Sequence, residues 1–175
     1  MRNRSKKPEC PTGAGEYDVE RELRRWLEGA RRIVVAGIGN SLRGDDFVGM
    51  KIVQDMKGRV SRKVSLIECG TVPEGFMPEI MEIKPTHILI IDAASLGEPY
   101  GAARLVEDLK AARPAISTHM LPLQAFCGYL RDALKAKVAL LAIQPKKINL
   151  GEGLTAEVAH SAEKVSGILA GILAE

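Results

Sequence analysis

Three carboxylates and one imidazole are the residues of this chain whose types and settings could do chemistry: Asp45, Asp46, Asp92 and His119. Asp45 and Asp46 end a polar, glycine-containing loop just before a helical pattern begins. The positive end of a helix stabilises carboxylates there, so both could be mere caps. Two adjacent acids would nevertheless repel a phosphate, which points this loop towards a cation or a proton-transfer role. Asp92 closes the apolar run HILII. A carboxylate ending such a run is costly to bury unpaired, so it should open at the mouth of a sheet, or else cap a turn through nearby amides. His119 follows Ser117 and Thr118 at the start of a helical stretch. An isolated histidine is usually structural, but an imidazole and carboxylates gathered at neighbouring loops suit a first-row divalent metal such as nickel, zinc or iron. His87 begins its strand and belongs to the opposite rim, while His160 falls in the last helix and reads as surface or packing.

These residues need elements that bring them together. Residues 32–36 form an apolar, β-branched run that reads as a buried parallel strand. After the loop, Val48, Ile52, Val53 and Met56 repeat with helical spacing from about Phe47 to Lys57. Val64–Cys69 reads as a second strand, and Pro73 and Glu74 open a short helix that Pro85 stops near Ile83. His87–Ala94 is the most apolar strand and should be central. Ala103–Leu109 would be a strand reached by a short loop, so it should run antiparallel at an edge; a parallel return needs a longer crossover. A helix from about Leu121 to Ala136, a strand at Val138–Ile143 and an amphipathic helix from Thr155 to Ala174 complete the pattern, with Thr155 as N-cap. Strands and helices alternate throughout. The expected fold is therefore an α/β, three-layer α/β/α sandwich on a mostly parallel twisted sheet of about five strands, with an antiparallel edge strand, of the phosphorylase/hydrolase-like kind.

Residues 1–15, with two prolines and two glycines among charges, read as a flexible tail. Residues 16–30 form an N-terminal helix whose stripe of Val19, Leu23, Trp26 and Leu27 either caps the core or docks a partner, the former being the commoner use of such a stripe. Residues 31–175 form a single α/β domain. Much of the net charge of +3 lies in the tail, so the body is near neutral, and aromatics are only 4%. Neither value favours nucleic acid. The three cysteines, Cys10, Cys69 and Cys127, form no CxxC motif, which argues against structural zinc and fits a reducing cytosol. With no apolar run of the roughly 20 residues a span requires, a cytoplasmic protein is expected.

One competing motif needs weighing. Gly37 and Gly39 begin a dinucleotide fingerprint, and Glu68 could serve as the ribose-binding acid, but the third glycine position is Leu42. Cys69 and Cys127 have no sequence neighbour that would activate a thiol, although Cys69 lies near the sheet mouth.

The segments GIGNSLRGDDFVG (37–49), ECGTVPE (68–74), IIDAA (90–94), STHMLPL (117–123) and AIQPKKINLGEGLT (142–155) occur in order. Together they closely resemble the nickel-iron hydrogenase maturation endopeptidases, over roughly residues 32–175. The members that process formate hydrogenlyase-type (hydrogenase 3-like) or cytosolic hydrogenases look most similar. The resemblance implies the same three-layer fold and an enzyme that removes the C-terminal extension of the hydrogenase large-subunit precursor after nickel insertion. It implies that Asp46, Asp92 and His119 are the catalytic, nickel-recognising residues; many members carry Glu where this chain has the shorter Asp46. Asp45 matches the family's preceding Asp and stands beside Asp46 as a possible general base. Nickel is expected to arrive with the precursor rather than as a tightly held resting metal, and the protein to be a monomer with its partner surface open. Two other readings are kept: a nucleotide-binding module, and a non-enzymatic nickel-dependent docking protein.

Overall fold

The structure is a computed structural model that describes residues 14–109 and 120–174. His119, with Ser117 and Thr118, lies outside the described residues, as does the tail up to residue 13. Five strands, β1 (Ile33–Ile38), β2 (Val64–Gly70), β3 (His87–Ala93), β4 (Ala103–Val106) and β5 (Lys137–Ile143), form one sheet in the order β2-β1-β3-β5-β4. Four run parallel, and β4 pairs antiparallel with β5 at the edge, Ala103 opposite Ile143. The short 95–101 connection explains this reversal, since it leaves no length for a crossover.

The helices are α1 (Ala14–Trp26), α2 (Val48–Met56), α3 (Met77–Ile83), α4 (Met120–Leu134) and α5 (Ala156–Leu173). Strand alternation divides the apolar residues between two layers. Val35, Leu89, Ile91, Leu141 and Ile143 face one cluster with residues of α1, α2 and α5. Val34, Ala36, Ile88, Ile90 and Leu140 face the other with residues of α3 and α4. The sheet and three layers are thus those expected from the sequence.

The first helix serves the core. Val19, Leu23, Trp26 and Leu27 are buried in the first cluster, and Trp26 meets the buried ring of His87 edge-on at 5.1 Å. His87 begins β3, on the rim opposite the loops that follow the strands, and His160 is exposed on α5.

The glycines of the first motif are used for close packing between backbones. A Cβ on Gly49 would lie 2.1 Å from the carbonyl oxygen of Ile91 and 2.4 Å from that of Ile38; one on Gly37 would lie 2.3 Å from the Gly49 oxygen. The start of α2 therefore rests directly on the carboxyl ends of β1 and β3, and only a residue without Cβ fits. Glu68, read as a ribose-binding acid, accepts a 2.7 Å hydrogen bond from Gln54 of α2 and pairs with Lys57, the residue that caps the end of that helix. Both features of the nucleotide reading are thereby spent on the fold. Gly49→Ala is expected to cost about 3 kcal/mol of stability, as overpacking against rigid backbone does. Chemical denaturation checks this; a loss below about 1 kcal/mol would mean that α2 slides freely.

Candidate active site

The chain leaves β1 for β2 on one side and returns to β3 on the other. The carboxyl ends of β1 and β3 therefore bound a crevice at a topological switch point, where open α/β sheets place their sites. A cleft of about 410 Å³ lies there. Its floor is Ile38, Gly39 and the segment Asp92–Ser95. One lip carries Arg43, Asp46, Pro145 and Ile148, from the loops after β1 and β5. The other carries Thr71, Pro73 and Glu74 after β2, with Pro122 and Leu123 of α4.

Asp46 and Asp92, both read from the sequence as site residues, line this cleft together. A 3-10 turn over Gly44–Phe47 delivers Asp46. Its Oδ2 accepts the backbone N–H of Asn40 at 3.1 Å, while Asn40 turns the chain by accepting the N–H of Leu42 at 3.0 Å. Gly39, at φ +152°, has no room for a side chain, since a Cβ would stand 2.1 Å from the Asp46 carbonyl oxygen. Asp92 accepts the amide of Ala93 at 2.8 Å through Oδ1. The turn-capping use considered for it is therefore present, but supplies only one hydrogen bond. Burial, and then the negative charge of Asp46, push the Asp92 carboxyl up to about 7, against the opposing pull of the Ala93 amide. Among the described residues no cation forms an ion pair with either carboxylate.

Asp45 has a different fate from its neighbour. It is fully buried, and its Oδ2 accepts the backbone amides of Lys146 and Lys147, each at 2.8 Å. Its Oδ1 accepts the Thr155 amide at 2.7 Å, and the Thr155 hydroxyl donates to both oxygens. Burial alone would raise its proton affinity, but these hydrogen bonds outweigh it and hold the carboxyl below its usual range. With every lone-pair direction occupied, Asp45 is a clamp between the loops after β1 and β5; it has no oxygen left for a general base. The same contacts revise the role of Thr155. It stands at the N-cap of α5, but its hydroxyl serves Asp45 and makes no capping bond to the helix.

Gln144 braces the floor. Its buried side chain accepts the Leu96 amide at 2.6 Å, fixing the loop after β3. Cys69 and Cys127 are buried, and their thiols are pushed up to about 12. The cause is burial in both cases, followed at Cys69 by Glu79 and Glu74, so neither is set up as a nucleophile. Arg43, Glu74 and Ser95 were not singled out as site residues from the sequence, because nothing in their local pattern shows that three separate loops converge. Among the described residues no group of three histidines, cysteines or acids forms a metal cluster; His119 is outside them.

A three-layer sandwich with paired carboxylates in a switch-point cleft defines the chain as an α/β protein of hydrolase-like build. Comparison then gives the family. Residues 50–172 match the family model for hydrogenase maturation protease. A Methanocaldococcus jannaschii relative assigned as a hydrogenase maturation protease is 35% identical over 157 residues, covering 85% of this chain and 92% of its own length. The Hydrogenase 3 maturation protease of Escherichia coli is 31% identical over 136 residues, covering 75% and 85%. The crystal structure of a nickel-iron hydrogenase maturation protease from Thermococcus kodakarensis superposes with a TM-score of 0.82 at 31% identity, over 88% of this chain and 99% of that one. The chain belongs to the hydrogenase maturation protease family and is a peptidase.

The Asp92 environment yields a pH prediction. A carboxyl raised in the folded state contributes stability that is fully present in acid and is lost as pH climbs through about 7. Asp92→Asn removes that loss, so its melting temperature should exceed the parent's by several degrees at pH 8, with the gap closing towards pH 4. Thermal unfolding at the two pH values checks this; a gap independent of pH would contradict it.

Proposed function

We propose that this protein removes the C-terminal extension of a nickel-iron hydrogenase large-subunit precursor once nickel has been inserted, and that Asp46, Asp92 and His119 meet that nickel. The observation carrying this reading is the facing of Asp46 and Asp92 into one cleft, where burial and then the charge of Asp46 raise the Asp92 proton affinity. A site built to hold two like charges together favours a ligand that is positive. His119 joins them by its position in the STHMLPL segment, whose last residue, Leu123, lines the same cleft.

In this reading the nickel belongs to the substrate. Two carboxylates and one imidazole are a hard, sparse donor set, well short of the ligands that a zinc protease uses to keep its own metal. They would take open coordination positions of a metal already held by the precursor, and so test whether loading is complete. A cation between the carboxylates reverses their repulsion, so docking of a loaded precursor would release the Asp92 proton and present two ionised acids. Either carboxylate could then take a proton from the attacking water, since each gives only one oxygen to a backbone amide. Polarisation of the scissile carbonyl or activation of that water by the nickel is the complementary contribution.

The protein would act in the cytoplasm, where the precursor is loaded, and as a monomer with the cleft open; no described helix is long and apolar enough to cross a membrane. A non-enzymatic docking role is not favoured, given the family's peptidase character.

Incubation of nickel-loaded precursor with the protein, read by intact mass, should show a large subunit shortened at its C-terminus. Asp92→Asn and Asp46→Asn should each slow this by about 100-fold or more while remaining folded. Full activity in either variant would remove that residue from the mechanism. Calorimetry with nickel salt alone should give weak binding, micromolar or poorer; nanomolar affinity would make nickel a resting cofactor.

A further inference from the structure

The loops after β1 and β5 do more than form one lip of the cleft. Leu42, Ile148 and Leu150 project from them into solvent, with 53%, 43% and 85% of their surfaces exposed. Exposed aliphatic residues on free loops fold back or move; these are held. The Gly44 amide donates to the Gly151 oxygen at 2.7 Å, and the Gly151 amide to the Leu42 oxygen at 2.9 Å. The Asp45 amide donates to the Lys147 oxygen at 2.9 Å, and Arg43 Nε to the Ile148 oxygen at 3.3 Å. Beneath them the buried Asp45 carboxylate ties both loops together. The chain thus keeps three large apolar side chains in water on a preorganised platform, where covering them costs little ordering entropy.

We propose that this lip is where the folded body of the hydrogenase large-subunit precursor docks, as distinct from the extension that enters the cleft; the inference rests on the function proposed above. Continuity supports it. Arg43 and Ile148 line the cleft and belong to the lip as well, so a protein whose tail lies in the cleft must cover the lip. A second copy of the chain seated there would shut out the substrate. The lip also states the chemistry of its partner. Arg43 and Lys147 are exposed at its margin, whereas Lys146 is engaged by Glu157. The complementary surface is an apolar patch edged with carboxylates.

The test is the affinity of nickel-loaded precursor for the whole protein, measured by biolayer interferometry beside its processing rate. The double variant Leu42→Ser/Leu150→Ser should weaken binding about tenfold or more and raise KM in proportion, with kcat unchanged. Leu150→Asp should weaken binding more than Leu150→Lys, since it places a negative charge against an acidic margin. Tyr129→Ser, which removes an equally exposed side chain from the middle of α4, should change nothing. All of these positions are on the surface, so folding is checked by circular dichroism. Equal binding by parent and double variant, or a loss confined to kcat, would overturn the docking lip. So would a parent dimer that the double variant dissolves with processing intact. A parent that binds through the lip but leaves the precursor uncut would instead overturn the peptidase reading and keep the lip.

Discussion

The carboxylate of Asp45 is the constraint on which the site depends. Three backbone amides and one hydroxyl converge on it inside the protein, and all come from residues 146–155, about a hundred positions away. A buried charge of this kind is tolerable only when its hydrogen bonds are complete. That completeness makes the loops after β1 and β5 a single rigid unit. With them joined, the next residue, Asp46, lines the cleft. The tight seating of α2 through Gly37 and Gly49 fixes the same loop from below. Two adjacent aspartates therefore divide the labour: the first holds the wall, and the second faces the cleft.

The other side of the crevice follows from topology. Because β1 and β3 are neighbours, with Gly37 in register with Ile91, the acid that closes β3 comes to lie near the loop that leaves β1. Their repulsion is unfavourable in the unloaded protein and favourable to an incoming cation. The structure thus carries a local instability at its candidate site, the arrangement expected where recognition requires differential binding rather than a filled resting site. On the proposed reading, the buried, like-charged setting of Asp92 that weakens the folded state at high pH also discriminates a loaded from an unloaded precursor.

Much of this was legible in the sequence, and the reasons are local. The run HILIID announces both a central strand and an acid at its mouth. The short 95–101 connection announces an antiparallel edge at β4. Spacing of Val19, Leu23 and Trp26 announces a core-facing stripe on α1. The separate roles of Asp45 and Asp46 were not legible, because the partners of Asp45 lie about a hundred residues away and offer backbone amides, which no residue type reveals. The same applies to Thr155, whose sequence context is that of an ordinary N-cap, and to Glu68, whose partners Gln54 and Lys57 are set by the packing of α2 on β2. The exposed lip was equally hidden. Leu42, Ile148 and Leu150 look like scattered apolar residues of two loops until hydrogen bonds between those loops bring them to one surface.

On the proposed function, the two cleft carboxylates read a metal carried by the substrate. The most direct measurement is the intact mass of the precursor after incubation with the protein, in matched samples with and without inserted nickel. The nickel-loaded sample alone should lose a C-terminal peptide. Equal shortening of the nickel-free precursor would contradict it.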